Sequence, residues 1–186
     1  MRRWPNRAAA AMAVLLLVGL ATACGDDDEE STTTGPTSSI SNTVQTFPLP
    51  TARHVQGKVN YPQTPPVGGD HNAVWQNCGF YSGPIESERA VHSMEHGAVW
   101  VTYRPDLPRA QVDVLRQLAR SRAYVLVSPW KDSSLPAPVV ASAWAAQLKL
   151  SSATAPALAD FIAANAGGGR APEPGAPCTA AFGNPE

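Results

Sequence analysis

All four histidines of this 186-residue chain fall between positions 54 and 96: His54, His71, His92 and His96. The densest group is His92-Ser93-Met94-Glu95-His96-Gly97. Imidazole nitrogens are good ligands for zinc, copper and iron. A carboxylate among them can complete the ligand set or act as base toward a metal-bound water. The spacing makes that chemistry conditional on local structure. On a helix, His92 and His96 stand one turn apart with Glu95 beside them. On a strand they would stand ~13 Å apart with Glu95 on the opposite face. Pro84 to Glu95 contains no Gly and no further Pro, and Gly97 suits the position just past a helix end. A short helix ending at Gly97 is therefore expected.

A third histidine ligand can come from Val67-Gly68-Gly69-Asp70-His71. The Gly-Gly pair permits a backbone path that turns His71 inward, and Asp70 could orient a neighbouring imidazole. The candidate set is His71, His92, Glu95 and His96, holding zinc or copper, with Met94 leaning toward copper. The competing reading is a buried polar network in which these side chains hydrogen-bond to loop carbonyls and hold the Pro-rich segment in place. His54, next to Arg53, reads as a surface or interface residue.

The elements that must position these residues form an α+β pattern. Ala98 to Tyr103 is β-branched and aromatic, as strands prefer. After the Arg104–Pro108 turn, Val112, Leu115, Leu118 and Ala119 recur at helical spacing up to Arg120. Tyr124 to Ser128 is a continuous apolar run, expected as a strand buried on both faces. Val139 to Leu150 reads as a strand pairing with it. Thr154 is expected as the N-cap of a last helix with Pro156 in its first turn, Leu158, Phe161 and Ile162 buried, and Gly167 past its end. A further short strand is expected around His54 to Tyr61. The sum is a single compact α+β domain, a small mixed or antiparallel sheet with two to three helices in a β-α-β-β-α core behind a loop-rich N-terminal half.

The first fifty residues are unlike the rest. Arg2, Arg3 and Arg7 precede an uncharged apolar stretch ending Leu20-Ala21-Thr22-Ala23-Cys24-Gly25, the layout of a signal peptide over residues 1–23. The ending resembles a lipobox with Ala21 where Leu, Val or Ile is preferred. Cys24 is then acylated and anchors the chain to membrane lipid on the outer face of the cytoplasmic membrane. An uncleaved N-terminal helix or outright secretion are the alternatives. Asp26 to Glu30 and the Ser/Thr-rich run after them have too few apolar residues to fold, so 24–51 is expected as a disordered tether and 52–186 as the globular domain. With Cys24 lipidated, Cys78 and Cys178 remain, in a setting that permits oxidation. A bridge between them would pin the aperiodic tail after Gly167; Cys78 as a metal thiolate is the alternative.

Charge excludes one class. From residue 52 on there are 11 Lys+Arg against 10 Asp+Glu, so nothing recommends nucleic acid as a partner. No Gly-x-Ser-x-Gly elbow surrounds Ser87, Ser93 or Ser128, and no phosphate-binding Gly-Lys-Ser/Thr loop occurs.

Several ordered motifs, Tyr61-Pro-Gln-Thr-Pro-Pro-Val-Gly-Gly-Asp-His71, Trp75-Gln-Asn-Cys-Gly79, Val91 to Trp100 and Tyr103-Arg-Pro105, together resemble the domain-of-unknown-function family 3105 over roughly residues 52–180. His71, His92, Glu95, His96 and Gly97 fall on its motif positions. The resemblance implies an actinobacterial exported protein or lipoprotein and brings no biochemical activity. Three readings follow: a tethered metal-binding protein, a metal-free structural or interaction module of the cell envelope, and a small metallohydrolase with Glu95 as base. The last is disfavoured, because inverzincins share only the five-residue His-x-x-Glu-His order and nothing in these residues supplies their larger substrate-binding scaffold.

Overall fold

A computed structural model describes residues 42–186; the expected signal segment, Cys24 and most of the tether lie outside them. In chain order the elements are β1 (Gln45–Thr46), β2 (Gly79–Phe80), α1 (Ser87–Glu95), β3 (Val99–Tyr103), α2 (Arg109–Ser121), β4 (Val125–Pro129), β5 (Val139–Ala143), β6 (Ala146–Leu150) and α3 (Pro156–Asn165). They form one six-stranded mixed sheet in the order β1-β6-β5-β3-β4-β2. No helix among the described residues is long and apolar enough to cross a membrane.

The alternation of side chains along the central strands builds a core on each face. Val99, Val101 and Tyr103 of β3, with Val125 and Val127 of β4, face α2 and α3, where Leu115, Leu158, Phe161 and Ile162 close one cluster. Trp100 and Leu126 face the other way and pack with Ala90, Val91 and Met94 of α1 and with Trp144. The sheet is thus sandwiched, with α1 and the loop-rich N-terminal half on one side. The parallel β3–β4 pair is joined through α2, as a parallel connection requires.

Several expectations need correction. Val139 to Leu150 is not one strand but a hairpin, β5 and β6 joined at Trp144-Ala145, and β5 pairs antiparallel with β3 rather than with β4. The turn places Ala145 at φ 56° and lets its N–H donate to Val67 O at 2.7 Å; with no Gly or Asn at this turn, the usual hairpin signal was missing. Thr154 does not cap α3. Its hydroxyl pairs with Ser152 Oγ at 2.8 Å, and Ala155 precedes the Pro-initiated helix. Around His54 to Tyr61 there is only an isolated bridge, His54 with His71. Order also begins earlier than residue 52, because Gln45 and Thr46, expected in the tether, pair with β6.

Helix α1 ends where Gly97 takes φ 98° and donates its N–H to Met94 O at 3.0 Å. A Cβ there would stand 2.8 Å from Gly167 C and Gly168 N, both backbone atoms. Gly97→Ala is therefore expected to destabilise the domain by at least about 1–3 kcal/mol, from backbone strain with the clash added. The urea midpoint, measured beside an exposed alanine control, checks this.

Candidate metal centre

Helix α1 presents His92, Glu95 and His96 on the side away from its apolar residues, which are buried against the sheet. Met94 lies in that apolar cluster, fully buried with Trp100 and Leu126. It packs in the core and does not join the histidines, so its lean toward copper falls away.

Three loops bring up the remaining groups. Gly68 and Gly69 run at φ 129° and 122°, and a Cβ on Gly68 would lie 2.5 Å from Pro50 Cγ and 3.1 Å from Trp144. Only glycine can follow this path, and it buries His71 completely. The 53–55 segment pairs with His71 through Val55 N–H to His71 O at 2.7 Å and His71 N–H to Arg53 O at 2.9 Å, which sets His54 beside it. The C-terminal tail covers the end of α1, with Glu173 N–H donating to Glu95 O at 3.0 Å and Gly175 N–H to His96 O at 3.2 Å.

The imidazoles share one hydrogen-bonding plan. His71 Nδ1 lies 2.8 Å from Gly69 O, His92 Nδ1 2.7 Å from Asn72 O, and His96 Nδ1 2.6 Å from Pro177 O. A carbonyl only accepts, so each Nδ1 carries the proton and each Nε2 of a neutral ring is left with its lone pair. Those lone pairs point inward. His92 Nε2 and His96 Nε2 are 3.0 Å apart, and His71 Nε2 is 2.9 Å from Glu95 Oε2. Such contacts place acceptor against acceptor unless an extra proton or a cation lies between them. Backbone carbonyls that fix tautomer and orientation in this way are a common support for metal-binding histidine.

Ligand atoms of His54, His71, His92 and Glu95 all lie within 4.8 Å of one another, as do those of Glu95, His96 and Glu173. His71, His92, Glu95 and His96 thus come together, but His96 falls in the second group and His54 takes a place in the first. His54 Nε2 is 3.8 Å from Glu95 Oε2 with its side chain 52% exposed; sequence reasoning read it as an ordinary surface residue because nothing nearby in sequence marks it. Glu173 was missed for the same reason, since it arrives from the tail, 3.6 Å from His96 Nε2. Trp75 lies against the pair, its ring centre 4.9 Å from that of His96 and 5.6 Å from that of His92.

Asp70 does not orient an imidazole. It accepts hydrogen bonds from Arg53 Nη2 at 2.6 Å and from Thr51 Oγ1 at 2.7 Å, contacts that hold its carboxyl at about 2. Its part is to fasten the segment carrying His54. Cys78 is disulfide-bonded to Cys178, with Cα atoms 5.4 Å apart, and so is no thiolate ligand.

Burial is the main reason that the His92 pKa drops to about 4 from an ordinary 6.5, and His96, His71 and His54 add to the effect against the hydrogen bond to Asn72. Between those values the unfolded chain takes up a proton that folded His92 refuses. The metal-free protein is therefore expected to lose stability as pH falls from about 6.5 toward 4. Urea midpoints in chelator at pH 7 and pH 5 check this, with a smaller decline expected in His92→Gln.

A family model described as "Protein of unknown function (DUF3105)" matches residues 54–180. The chain belongs to this family. The DUF3105 match begins at His54 and takes in every residue of the cluster, Pro177 and both disulfide cysteines. No curated protein and no solved structure matches the chain.

Proposed function

We propose that this DUF3105 protein is an exported lipoprotein, tethered through acylated Cys24, that binds a transition-metal ion with His54, His71, His92 and Glu95. The observation that carries the metal reading is the set of buried imidazoles whose Nδ1 atoms are tied to carbonyls and whose Nε2 lone pairs converge on one another and on a carboxylate. Nitrogen and oxygen donors with no thiolate or thioether suit Zn²⁺ or Cu²⁺, and such a set binds Cu²⁺ more tightly where both are present. A role for Glu95 as base is not supported by its position: Oε2 lies among the imidazole nitrogens, where a ligand belongs.

Full-length protein purified without a His tag is expected to carry zinc or copper by elemental analysis, and to lose it in His92→Ala. Metal content that is substoichiometric and unchanged by that substitution would overturn the reading. Cys24→Ser is expected to release the protein from the membrane fraction and abolish acyl labelling.

A metal-free envelope module is the second reading. The imidazole–carbonyl bonds favour it, because they tie the 69–72 loop and the tail to α1 whether or not an ion is present. In that reading the facing ring nitrogens at 3.0 Å require an extra proton between them.

A further inference from the structure

The six donors divide into two groups that share only Glu95. Ligand atoms around one ion at about 2.0–2.2 Å lie no more than roughly 4.4 Å apart. The donors of His54, His71, His92 and Glu95 lie within 4.8 Å of one another, so small inward shifts let one ion serve them, but the grouping leaves His96 and Glu173 outside that set. His96 is not idle there. Its side chain is only 5% exposed, its Nδ1–H is engaged by Pro177 O, and its Nε2 lies 3.6 Å from Glu173 Oε2. Among the described residues Nε2 also meets His92 Nε2 at 3.0 Å, whose lone pair belongs to the first ion. With one ion bound, a buried lone pair on His96 would still lack a partner, a state that proteins rarely leave uncompensated.

We propose that the centre takes a second divalent ion, held by His96 and Glu173 and bridged to the first through the Glu95 carboxylate. This rests on the metal-binding reading above. A bridging carboxylate sets two ions roughly 3.5–4 Å apart, as in other paired sites. The two positions are unequal. The inner ion has four protein donors, three of them buried. The outer has three, one of them Glu173 with its side chain 59% exposed. The outer ion keeps a coordination position open to water or to an incoming oxygen or nitrogen donor, which makes it the exchangeable ion. Its ligand Glu173 belongs to the tail that the disulfide fastens down.

The test uses full-length, untagged protein titrated with Cu²⁺ and, separately, Zn²⁺, with Glu173→Gln alongside. Glu173 is exposed, so this substitution does not threaten folding. Wild type is expected to bind two ions per chain, the second more weakly. Glu173→Gln is expected to keep the first and lose the second. At two Cu²⁺ per chain the integrated electron paramagnetic resonance intensity should fall below two isolated spins through coupling across the carboxylate, whereas the variant should show one isolated Cu²⁺ signal. Saturation of wild type at one ion, or two ions unaffected by Glu173→Gln, overturns the second site and leaves the first standing. No binding at all overturns the metal reading itself.

Discussion

Glu95→Gln is expected to lower metal affinity at least 100-fold while leaving the metal-free protein as stable as wild type or more so. Glu95 is the group shared by both donor sets, and it supplies the anionic charge that offsets a divalent ion in a buried setting. An amide oxygen is a far poorer ligand, and a 100-fold loss corresponds to about 2.7 kcal/mol. Stability moves the other way for a reason visible at His71. With Nδ1–H donated to Gly69 O, a neutral His71 turns a lone pair toward Glu95 Oε2 at 2.9 Å. The amide of glutamine can donate into that lone pair, and a buried charge with its desolvation cost is removed. Isothermal titration with Zn²⁺ or Cu²⁺ and chemical denaturation in chelator give the two halves. If the cluster were only a structural network, the substitution would leave no affinity to lose, so the paired result separates the readings.

Replacing both Cys78 and Cys178 with serine is expected to lower stability by about 2–5 kcal/mol, with a fall in Tm on the order of 10 °C. The closed loop spans 100 residues, long enough that constraint of the unfolded chain is substantial. The effect should reach the metal centre as well. The residue before Cys178 is Pro177, whose carbonyl orients His96 at 2.6 Å; the one after it is Thr179, whose carbonyl accepts from Trp75 Nε1 at 3.2 Å. Cys78 N–H also donates to Cys178 O at 2.7 Å. Loss of the bridge frees the stretch that aims His96 and the tail that brings Glu173. Thermal unfolding with and without reductant, repeated with metal present, should show that reduction also shrinks the stabilisation metal confers on wild type.

Much of the fold was readable. The apolar runs at Val99–Tyr103 and Val125–Pro129, the helical spacing of α2, and Pro156 opening α3 each follow from local preference. The ordering of β5 and β6 did not, because pairing is decided by which strand edges are free. With β2 on one side of β4 and β3 on its other, β4 has no edge left for β5, which pairs with β3 instead. The turn that divides the hairpin is held from a distant loop as well, by Val67 O accepting from Ala145 N–H.

The centre divides in the same way. Residues three and four apart on one helix, closed by a glycine, put His92, Glu95 and His96 together through helix geometry alone, and Gly68-Gly69 announced that the backbone before His71 takes an unusual course. These are local rules, and the sequence by itself pointed to them, given the helix over Ser87–Glu95 that the structure supplies. The places of His54 and Glu173, the pairing of Asp70 with Arg53, and the burial of Met94 away from the histidines rest on contacts between segments far apart in the chain. Only the tertiary structure decided those, because a side chain's partners across space depend on how loops close over the sheet, and no spacing along the chain encodes that.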